Sequence, residues 1–273
     1  MDPDALSPMT SFTIDPGHAA RLAAIAPEND GPVWMVHLMR HRRRSGHTDD
    51  GGTGRDGRAA GGASTPLGPY REVGGQLVFL SDVEAQLVGD DHEWERAAVV
   101  RYPTRRSFLA VQELPGDVAL HEHEGAGMEA SLVLCCVPAD WPAVPDGAPR
   151  PFDVPYPSTP DDGPVVLLHV VRYLGERRTG DLDVYRGAAG RSALPHGVRI
   201  GAWLDVEGTV VGDGRVWDEV RFHVFPSRAA FEAVAFDAGR IAALADCPEP
   251  AIADVHTLVL RPVMDRLAAS IRS

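Results

Sequence analysis

The chain has 273 residues, of which 44% are hydrophobic and 24% are charged, a balance typical of globular proteins that bury a core. Its net charge is −13, so it lacks the basic face that nucleic-acid binding requires, and we expect no nucleic-acid partner. Every basic residue is an arginine. The absence of lysine excludes the Schiff-base chemistry of pyridoxal phosphate enzymes and class I aldolases, and it excludes P-loop nucleotide hydrolysis.

The cysteines and the N-terminal residues bear on the compartment. Cys135, Cys136 and Cys247 form no regular disulfide framework, as expected in a reducing cytoplasm. The first residues have neither a basic start nor the apolar stretch of a secretory signal. No apolar run approaches the roughly 20 residues that cross a bilayer. We therefore expect a cytoplasmic protein without a membrane partner, and we expect Cys135 and Cys136 to be small core residues rather than nucleophiles.

The predicted elements follow one order twice: strand, weak helix, strand, strand, helix, strand. Short apolar runs predict the strands, which in chain order are 33–39, 77–83, 95–102 and 129–137, then 165–171, 199–206, 218–225 and 252–260. Helices are predicted near 105–114 and 228–245, with Thr104 and Ser227 as N-caps and with Phe108 and Phe231 facing inward. The order βαββαβ is that of the ferredoxin-like fold.

The two series are also similar in sequence. The segment DVEAQLVGD at 82–90 matches DVEGTVVGD at 205–213, and the same offset of 123 aligns WERAAVVRYPTRRSFLAV with WDEVRFHVFPSRAAFEAV. PVWMVHLMRHR at 32–42 matches PVVLLHVVRYL at 164–174, which pairs His37 with His169. Agreement of order, spacing and identity predicts an internal duplication.

The duplication gives the predicted domain organisation and fold class. The fold class is α+β: two ferredoxin-like repeats in one chain, packed sheet to sheet as a pseudo-dimeric α/β barrel. The predicted segments are an N-terminal extension with a short helix (1–31), repeat 1 (32–137), a Pro-rich linker (138–163) and repeat 2 (164–273). Within repeat 1, the stretch 42–76 carries ten glycines between 46 and 75 and is predicted to be a mobile or disordered loop, either degraded or acting as a lid.

The blocks MVHLMRHR, WERAAVVRYPTRRSFLAV and HEGAGMEASLVL resemble an uncharacterised bacterial family of small ferredoxin-like domains within the dimeric α/β-barrel superfamily. His37 and His169 stand where the usual first-strand pattern of that family has Asn. The resemblance implies a tandem duplication in which one chain forms the barrel that two chains usually form. Superfamily members include cofactor-free monooxygenases, isomerases, lyases and haem enzymes, so function inferred from the resemblance is analogy.

Strand periodicity sorts the side chains of repeat 2. Val220, Phe222 and Val224 form an apolar face that is predicted to meet the helices. The opposite face is then predicted to line a cavity between the repeats. On it we place the candidate catalytic residues, which are His169, Arg221, His223 and His256, with Glu219 as a substrate-binding residue and Asp254 nearby. Imidazole suits acid–base work near neutral pH, and guanidinium binds carboxylates or enolates through two hydrogen bonds. The alternative, that each histidine is only a core or rim residue, stays open.

Repeat 1 supplies different side chains at the matching positions. Its candidates are all assigned to substrate binding: His37, Arg96 and Tyr102. Ala98 and Val100 stand where repeat 2 has Arg221 and His223, so the predicted pocket is asymmetric. This asymmetry favours ligand binding over scaffolding alone, although drift also produces such differences.

No cofactor and no metal is predicted. His121 and His123, two residues apart in HEHEG, are weak metal candidates because a third ligand is not spaced nearby. Haem stays open as an alternative, with His169, His223 or His121 as the axial ligand, although the chain has no CxxCH motif. The glycine-rich GTGRDGRAAGG lacks the strand-to-helix context of a dinucleotide-binding loop.

The sequence therefore predicts a small-molecule enzyme of specialised metabolism. It would be a cofactor-independent lyase, isomerase or cyclase, or monooxygenase that uses His and Arg for proton transfer. The alternatives are a non-catalytic ligand-binding or structural protein and a haem-binding enzyme. The expected partner is a small-molecule substrate, and the chain is expected to be a monomer or a homodimer.

Overall fold

The structure is a computed structural model and describes residues 16–41, 68–90, 93–111, 114, 128–140, 147–150, 152–175, 190, 193–212, 214–245 and 252–272. It is a sheet-rich α+β protein that divides into two compact units. The first unit comprises Met1–Leu80, Trp94–Val137 and Glu207–Arg215, and the second comprises Ser81–Glu93, Pro138–Val206 and Val216–Ser273. No helix among the described residues is long and apolar enough to cross a membrane.

The first half of the chain supplies four strands and three α-helices within the described residues. In chain order these are α1 (Pro16–Ala23), β1 (Val33–His41), α2 (Gly68–Glu72), β2 (Gln76–Val88), β3 (Arg96–Tyr102), α3 (Arg105–Val111) and β4 (Met128–Pro138). β1 lies between β3 and β4 and is antiparallel to both. The prediction that 42–76 is only a loop is wrong at its end, because α2 occupies Gly68–Glu72. Residues 42–67 of that prediction lie outside the described residues.

The second half of the chain repeats the strand order. Its elements are β5 (Val165–Tyr173), β6 (Arg199–Val211), β7 (Glu219–Phe225), α4 (Arg228–Ala235), α5 (Ala238–Ala245), β8 (Ile252–Asp265) and α6 (Leu267–Arg272). β5 lies between β7 and β8 and is antiparallel to both, and β6 pairs with the other edge of β7. The helix predicted over 228–245 is two helices, because Phe236 and Asp237 interrupt it.

β2 and β6 are longer than predicted, and each is shared between the units. β2 belongs to the first unit up to Leu80 and to the second unit from Ser81. β6 shows the reverse, with Glu207 and the residues after it in the first unit. Each unit therefore contains the end of a strand whose beginning lies in the other unit.

Each unit has an apolar core on the sheet face that carries a helix. In the second unit Val165 and Phe225 pack with Val234 of α4, and the Phe225 ring lies 5.3 Å from that of Phe231 in an edge-to-face contact. In the first unit Met35 and Tyr102 pack with Phe108 and Val111 of α3. The predicted inward orientation of Phe108 and Phe231 is confirmed.

Aspartates that precede the first strands of the two halves cap the helices that follow the third strands. Asp30 accepts hydrogen bonds from the backbone N–H groups of Arg105 and Arg106, at 2.8 and 3.4 Å. Asp162 accepts from Arg228 and Ala229, at 2.7 and 3.1 Å. The predicted N-caps are also confirmed, since Thr104 accepts from Ser107 N at 3.0 Å and Ser227 accepts from Ala230 N at 3.0 Å. Side chains thus satisfy three backbone donors at the start of each helix.

The cap at Asp162 predicts a pH dependence of stability. The backbone N–H groups of Arg228 and Ala229 stabilise the charged carboxylate and lower the pKa of Asp162. The contribution of this group is therefore complete above the ordinary aspartate pKa of about 4, and it is lost as the pH falls through the lower pKa of the folded state. Asp162→Ala is expected to lower the free energy of unfolding by about 1 kcal/mol near neutral pH and by progressively less at acidic pH.

Urea denaturation at a series of pH values measures this difference. Asp161→Ala is the matched control, because Asp161 is exposed and is the adjacent acidic residue. A difference between wild type and Asp162→Ala that stays constant down to acidic pH would contradict the assignment.

Candidate functional site

A group of polar side chains lies on the helix-bearing face of the second unit. We call it the His–Arg cluster, and its members are His169, Tyr173, Trp203, Glu219, Arg221, His223 and Thr257. The strand register brings them to one face, because His169 of β5 lies opposite Arg221 of β7 and opposite Thr257 of β8. Residues that are directly opposite in paired strands point to the same side of the sheet.

The two imidazoles of the cluster are in contact. The ring centroids of His169 and His223 are 5.5 Å apart, and the rings meet edge to face at 74°. The Nδ1 atom of His169 is 3.1 Å from the hydroxyl oxygen of Thr257. This hydrogen bond fixes the orientation of the ring, as the orienting partner of a catalytic imidazole does.

The guanidinium of Arg221 is held on three sides. Its Nε donates to Glu219 Oε1 and its Nη2 donates to the hydroxyl oxygen of Tyr173. Its Cζ lies 4.8 Å from the centre of the Trp203 ring, in a cation–π arrangement. The Glu219 side chain is 0% exposed and that of Arg221 is 12% exposed. The cluster therefore contains a buried ion pair with a fixed geometry.

The fold itself does not require this cluster. The first unit forms the same strand pairings, but the position opposite His37 in β3 is Ala98, and the position opposite it in β4 is Val133. Arg96 and Val100 stand at the positions of Glu219 and His223. Burying an ion pair costs desolvation energy, and a well-packed apolar pair at the same place is often at least as stable. A buried polar group that one of the two units lacks is therefore a candidate for function.

The predicted orientation of the His-bearing face is wrong. His169 shares a face with Val165 and Leu167, and His223 shares a face with Phe225. Val165, Leu167 and Phe225 pack against α4. The cluster thus lies on the helix side of its own unit, beyond the part that α4 covers. The opposite face of β5, formed by Val166, Leu168 and Val170, is 0% exposed and wholly apolar. The error arose because both faces of a strand buried on two sides are apolar, so alternation alone does not distinguish them.

His256 and Asp254 do not join the cluster, contrary to prediction. His256 lies opposite Val170, so its side chain is on the other face of the sheet from His169. It is 1% exposed, and its ring centroid is 4.9 Å from that of Trp217. Asp254 lies opposite Arg172 and bonds its Nη1 at 2.7 Å. The equivalent of His256 in the first unit is Leu132, opposite Leu38, which is the position of a packing residue.

The candidates from repeat 1 lie in the first unit. Tyr102 is 1% exposed and packs edge to face against Phe108 at 5.5 Å, so it is a core residue. His37 lies in the middle of β1 on the same face, and Arg96 lies opposite Met39 at the start of β3. The assignment of His37, Arg96 and Tyr102 to substrate binding stays a prediction.

Three members of the cluster were not predicted: Tyr173, Trp203 and Thr257. Tyr173 lies on β5 four residues after His169. The strand period of two therefore indicated that both side chains are on the same face. Trp203 and Thr257 become neighbours of the cluster only through the register of β6 with β7 and of β5 with β8. That register depends on the folded sheet rather than on any local pattern.

Metal ligands do not converge in the described part of the chain, where no group of three or more His, Cys, Asp or Glu residues could hold a metal ion. The weak metal candidates His121 and His123 lie outside the described residues, as does Cys247.

Cys135 and Cys136 are fully buried free thiols, as predicted for small core residues. Burial raises the pKa of Cys135 to about 12, and the neighbouring Glu207 carboxylate, 3.7 Å from its sulfur, also raises it. Only the thiolate reacts with alkylating agents, so Cys135 in the folded protein is expected to resist iodoacetamide at mildly alkaline pH. Peptide mapping by mass spectrometry should find both adjacent cysteines unmodified until the protein is denatured. Alkylation of native Cys135 at the rate of an unfolded peptide would contradict this.

Comparisons with known proteins give only distant similarities. No family model matches the sequence, and no curated protein matches it. A protein of unknown function from Rhodopseudomonas palustris is 26% identical, and the alignment covers 48% of this chain and 100% of that chain with a TM-score of 0.37. A chlorite dismutase variant from Candidatus Nitrospira defluvii is 12% identical, with 93% and 100% coverage and a TM-score of 0.49. An anthrone oxidase-like protein is 11% identical, with 90% and 98% coverage and a TM-score of 0.40. All three TM-scores are below 0.5, so none of these proteins indicates a function for this chain.

Proposed function

We propose that this protein is a small-molecule enzyme that transfers protons through the His–Arg cluster of its second unit. The observation that carries the proposal is the contact between two imidazoles, one oriented by Thr257, beside a guanidinium fixed by Glu219, Tyr173 and Trp203. We also propose that the chain arose by duplication of a ferredoxin-like unit of the dimeric α/β-barrel type. The sequence repeat and the recurring strand order support this origin.

The chemistry that suits the cluster is deprotonation of a carbon acid next to a carbonyl group. One imidazole takes the proton, and the electron pair of the C–H bond moves to the carbonyl oxygen as an enolate. Arg221 stabilises the negative oxygen, because its orientation is already fixed before the reaction. Return of the proton to another atom gives an isomerase, and loss of a leaving group gives a lyase. Reaction of the enolate with dioxygen, which becomes a carbonyl oxygen and water, gives a cofactor-free monooxygenase.

Exchange of carbon-bound protons in D₂O tests the step that these reactions share. Proton NMR follows the loss of the acidic C–H signal of phenylpyruvate, 2-indanone and anthrone with purified protein. We expect exchange above the buffer rate, and we expect His169→Gln and His223→Gln each to lower it by about 10² to 10⁴-fold. His41→Gln is the control, since His41 bonds Glu95 at a strand end of the first unit.

The outcomes separate this proposal from its alternatives. Buffer-level exchange for every probe, or equal rates in wild type and both variants, would overturn an enzymatic role of the cluster. Tight retention of a ligand without exchange would favour a non-catalytic binding protein. A Soret band in the absorption spectrum of the purified protein would favour the haem alternative.

A further inference from the structure

The charges of the His–Arg cluster indicate which ligands it accepts. We infer that the cluster binds a carboxylate, or another single-charged oxygen anion, attached to a flat apolar group, and that binding takes up a proton. This inference rests on the site of the proposed function but not on its turnover.

Arg221 provides the donors for such an anion. A guanidinium carries five N–H groups, and among the described residues Glu219 and Tyr173 each receive one of them. The remaining N–H donors lie in the plane of the Arg221 guanidinium, and one face of that plane contacts the Trp203 ring. A planar carboxylate accepts hydrogen bonds from such a fork in the same plane, which makes Arg221 the specificity-determining residue.

The remaining charges explain the uptake of a proton. Among the described residues, the titratable groups on this face are His169 and Tyr173 from β5, Asp205 from β6, which lies opposite Glu219, and Glu219, Arg221 and His223 from β7, whereas β8 supplies the neutral Thr257. Arg172 and Asp254 form their own ion pair on the other side. Glu219 already neutralises Arg221 and Asp205 adds a further negative charge, so a bound anion increases the negative charge of this place by one. Protonation of one of the two imidazoles balances it, because an uncompensated buried charge is costly.

We assign the apolar part of the ligand to the end of the cluster. Val171 and Tyr173 of β5 pack with Val255 of β8 on the same face. Tyr173 lies opposite Ile252, which is 38% exposed. Ile252 is the exposed neighbour of this buried apolar group, so we place the flat hydrocarbon against Ile252 while the anionic group meets Arg221. The first unit has Ala98 in place of Arg221, so we expect one ligand per chain.

Calorimetric titration with 2-naphthoate and its neutral isostere 2-naphthamide tests the inference. We expect one naphthoate per chain, at least about 10-fold tighter binding than the amide, and an affinity that falls as the pH rises above the imidazole range. Titrations in buffers of different ionisation enthalpy are expected to show uptake of up to one proton. Arg221→Met should remove the preference for the carboxylate, whereas Arg40→Met, which alters an arginine paired with Glu129 in the first unit, should not.

A second variant keeps the test valid if Arg221→Met fails to fold. The double variant Glu219→Val with Arg221→Met removes both charges together, and it should also bind naphthoate no better than naphthamide. Equal affinity of wild type for the two probes, or retained preference in the double variant, would overturn the inference. Proton exchange on neutral ketones without carboxylate binding would leave the proposed function standing and sink this inference. Carboxylate binding that depends on Arg221, without proton exchange, would support this inference and overturn the proposed function.

Discussion

Glu219→Gln is expected to lower the free energy of unfolding by about 3 to 5 kcal/mol, since it leaves the buried guanidinium of Arg221 without its counter-charge. Glu219 is 0% exposed and receives the Nε–H of Arg221, so no water replaces the lost carboxylate. The remaining contacts of Arg221 with Tyr173 and Trp203 carry no negative charge.

The double variant Glu219→Val with Arg221→Met is expected to recover most of that loss. An apolar pair of similar volume avoids the desolvation cost of two charges, and the first unit folds with Ala98 at the equivalent of Arg221. Urea denaturation of wild type, Glu219→Val, Arg221→Met and the double variant gives the full cycle. A double variant as unstable as Glu219→Gln would show that the pair supports the fold and would remove the argument for a functional role.

The second large effect concerns two ion pairs that occupy equivalent positions in the two halves. In the first unit, Arg105 of α3 donates from Nε to Glu207 Oε2 at 2.8 Å and from Nη2 to Oε1. In the second unit, Arg228 of α4 pairs with Glu84. Glu84 and Glu207 occupy the same position of the repeated DVE segment. Glu84 lies on the end of β2 that belongs to the second unit, and Glu207 lies on the end of β6 that belongs to the first unit.

Burial distinguishes these two pairs. The Arg105 side chain is 8% exposed, whereas that of Arg228 is 39% exposed. The hydrogen bond to Glu207 raises the pKa of Arg105. A guanidinium also stays protonated without its partner, so replacing Glu207 leaves a buried positive charge. Glu207→Gln is therefore expected to cost about 2 to 3 kcal/mol, and Glu84→Gln about 1 kcal/mol or less.

Chemical denaturation of the two matched variants measures this contrast, and Arg105→Met together with Arg105→Met/Glu207→Gln closes the cycle for the buried pair. Added salt should weaken the Glu84 effect more than the Glu207 effect, because solvent-exposed pairs are screened. Equal costs at the two positions would contradict the role assigned to burial.

Much of the fold could be predicted from local patterns. Apolar runs identified the eight strands that the described residues form, and Thr104 and Ser227 correctly marked the starts of their helices. The lengths of β2 and β6 could not be predicted, because hydrophobic and polar residues alternate less clearly near the ends of these strands. The final residues of each strand also belong to a different unit from its first residues.

The site could be predicted only in part. His169, Arg221, His223 and Glu219 were identified as one group because they share a period of two on neighbouring strands. Their face was assigned wrongly, since both sides of β5 are apolar and only the contacts of Leu167 and Phe225 with α4 decide between them. β8 contributes Thr257 and not His256 to the site, because the register of β5 with β8 places Thr257 opposite His169.

Imidazole chemical shifts test the central claim most directly. In a carbon–proton NMR spectrum assigned through His169→Gln, His223→Gln, His37→Gln and His41→Gln, 2-naphthoate is added to the wild-type protein. The His169 and His223 signals are expected to move together with one dissociation constant, while that of His41 in the first unit stays in place. Shifts confined to histidines outside the cluster, or none at saturating ligand, would contradict the location of the site.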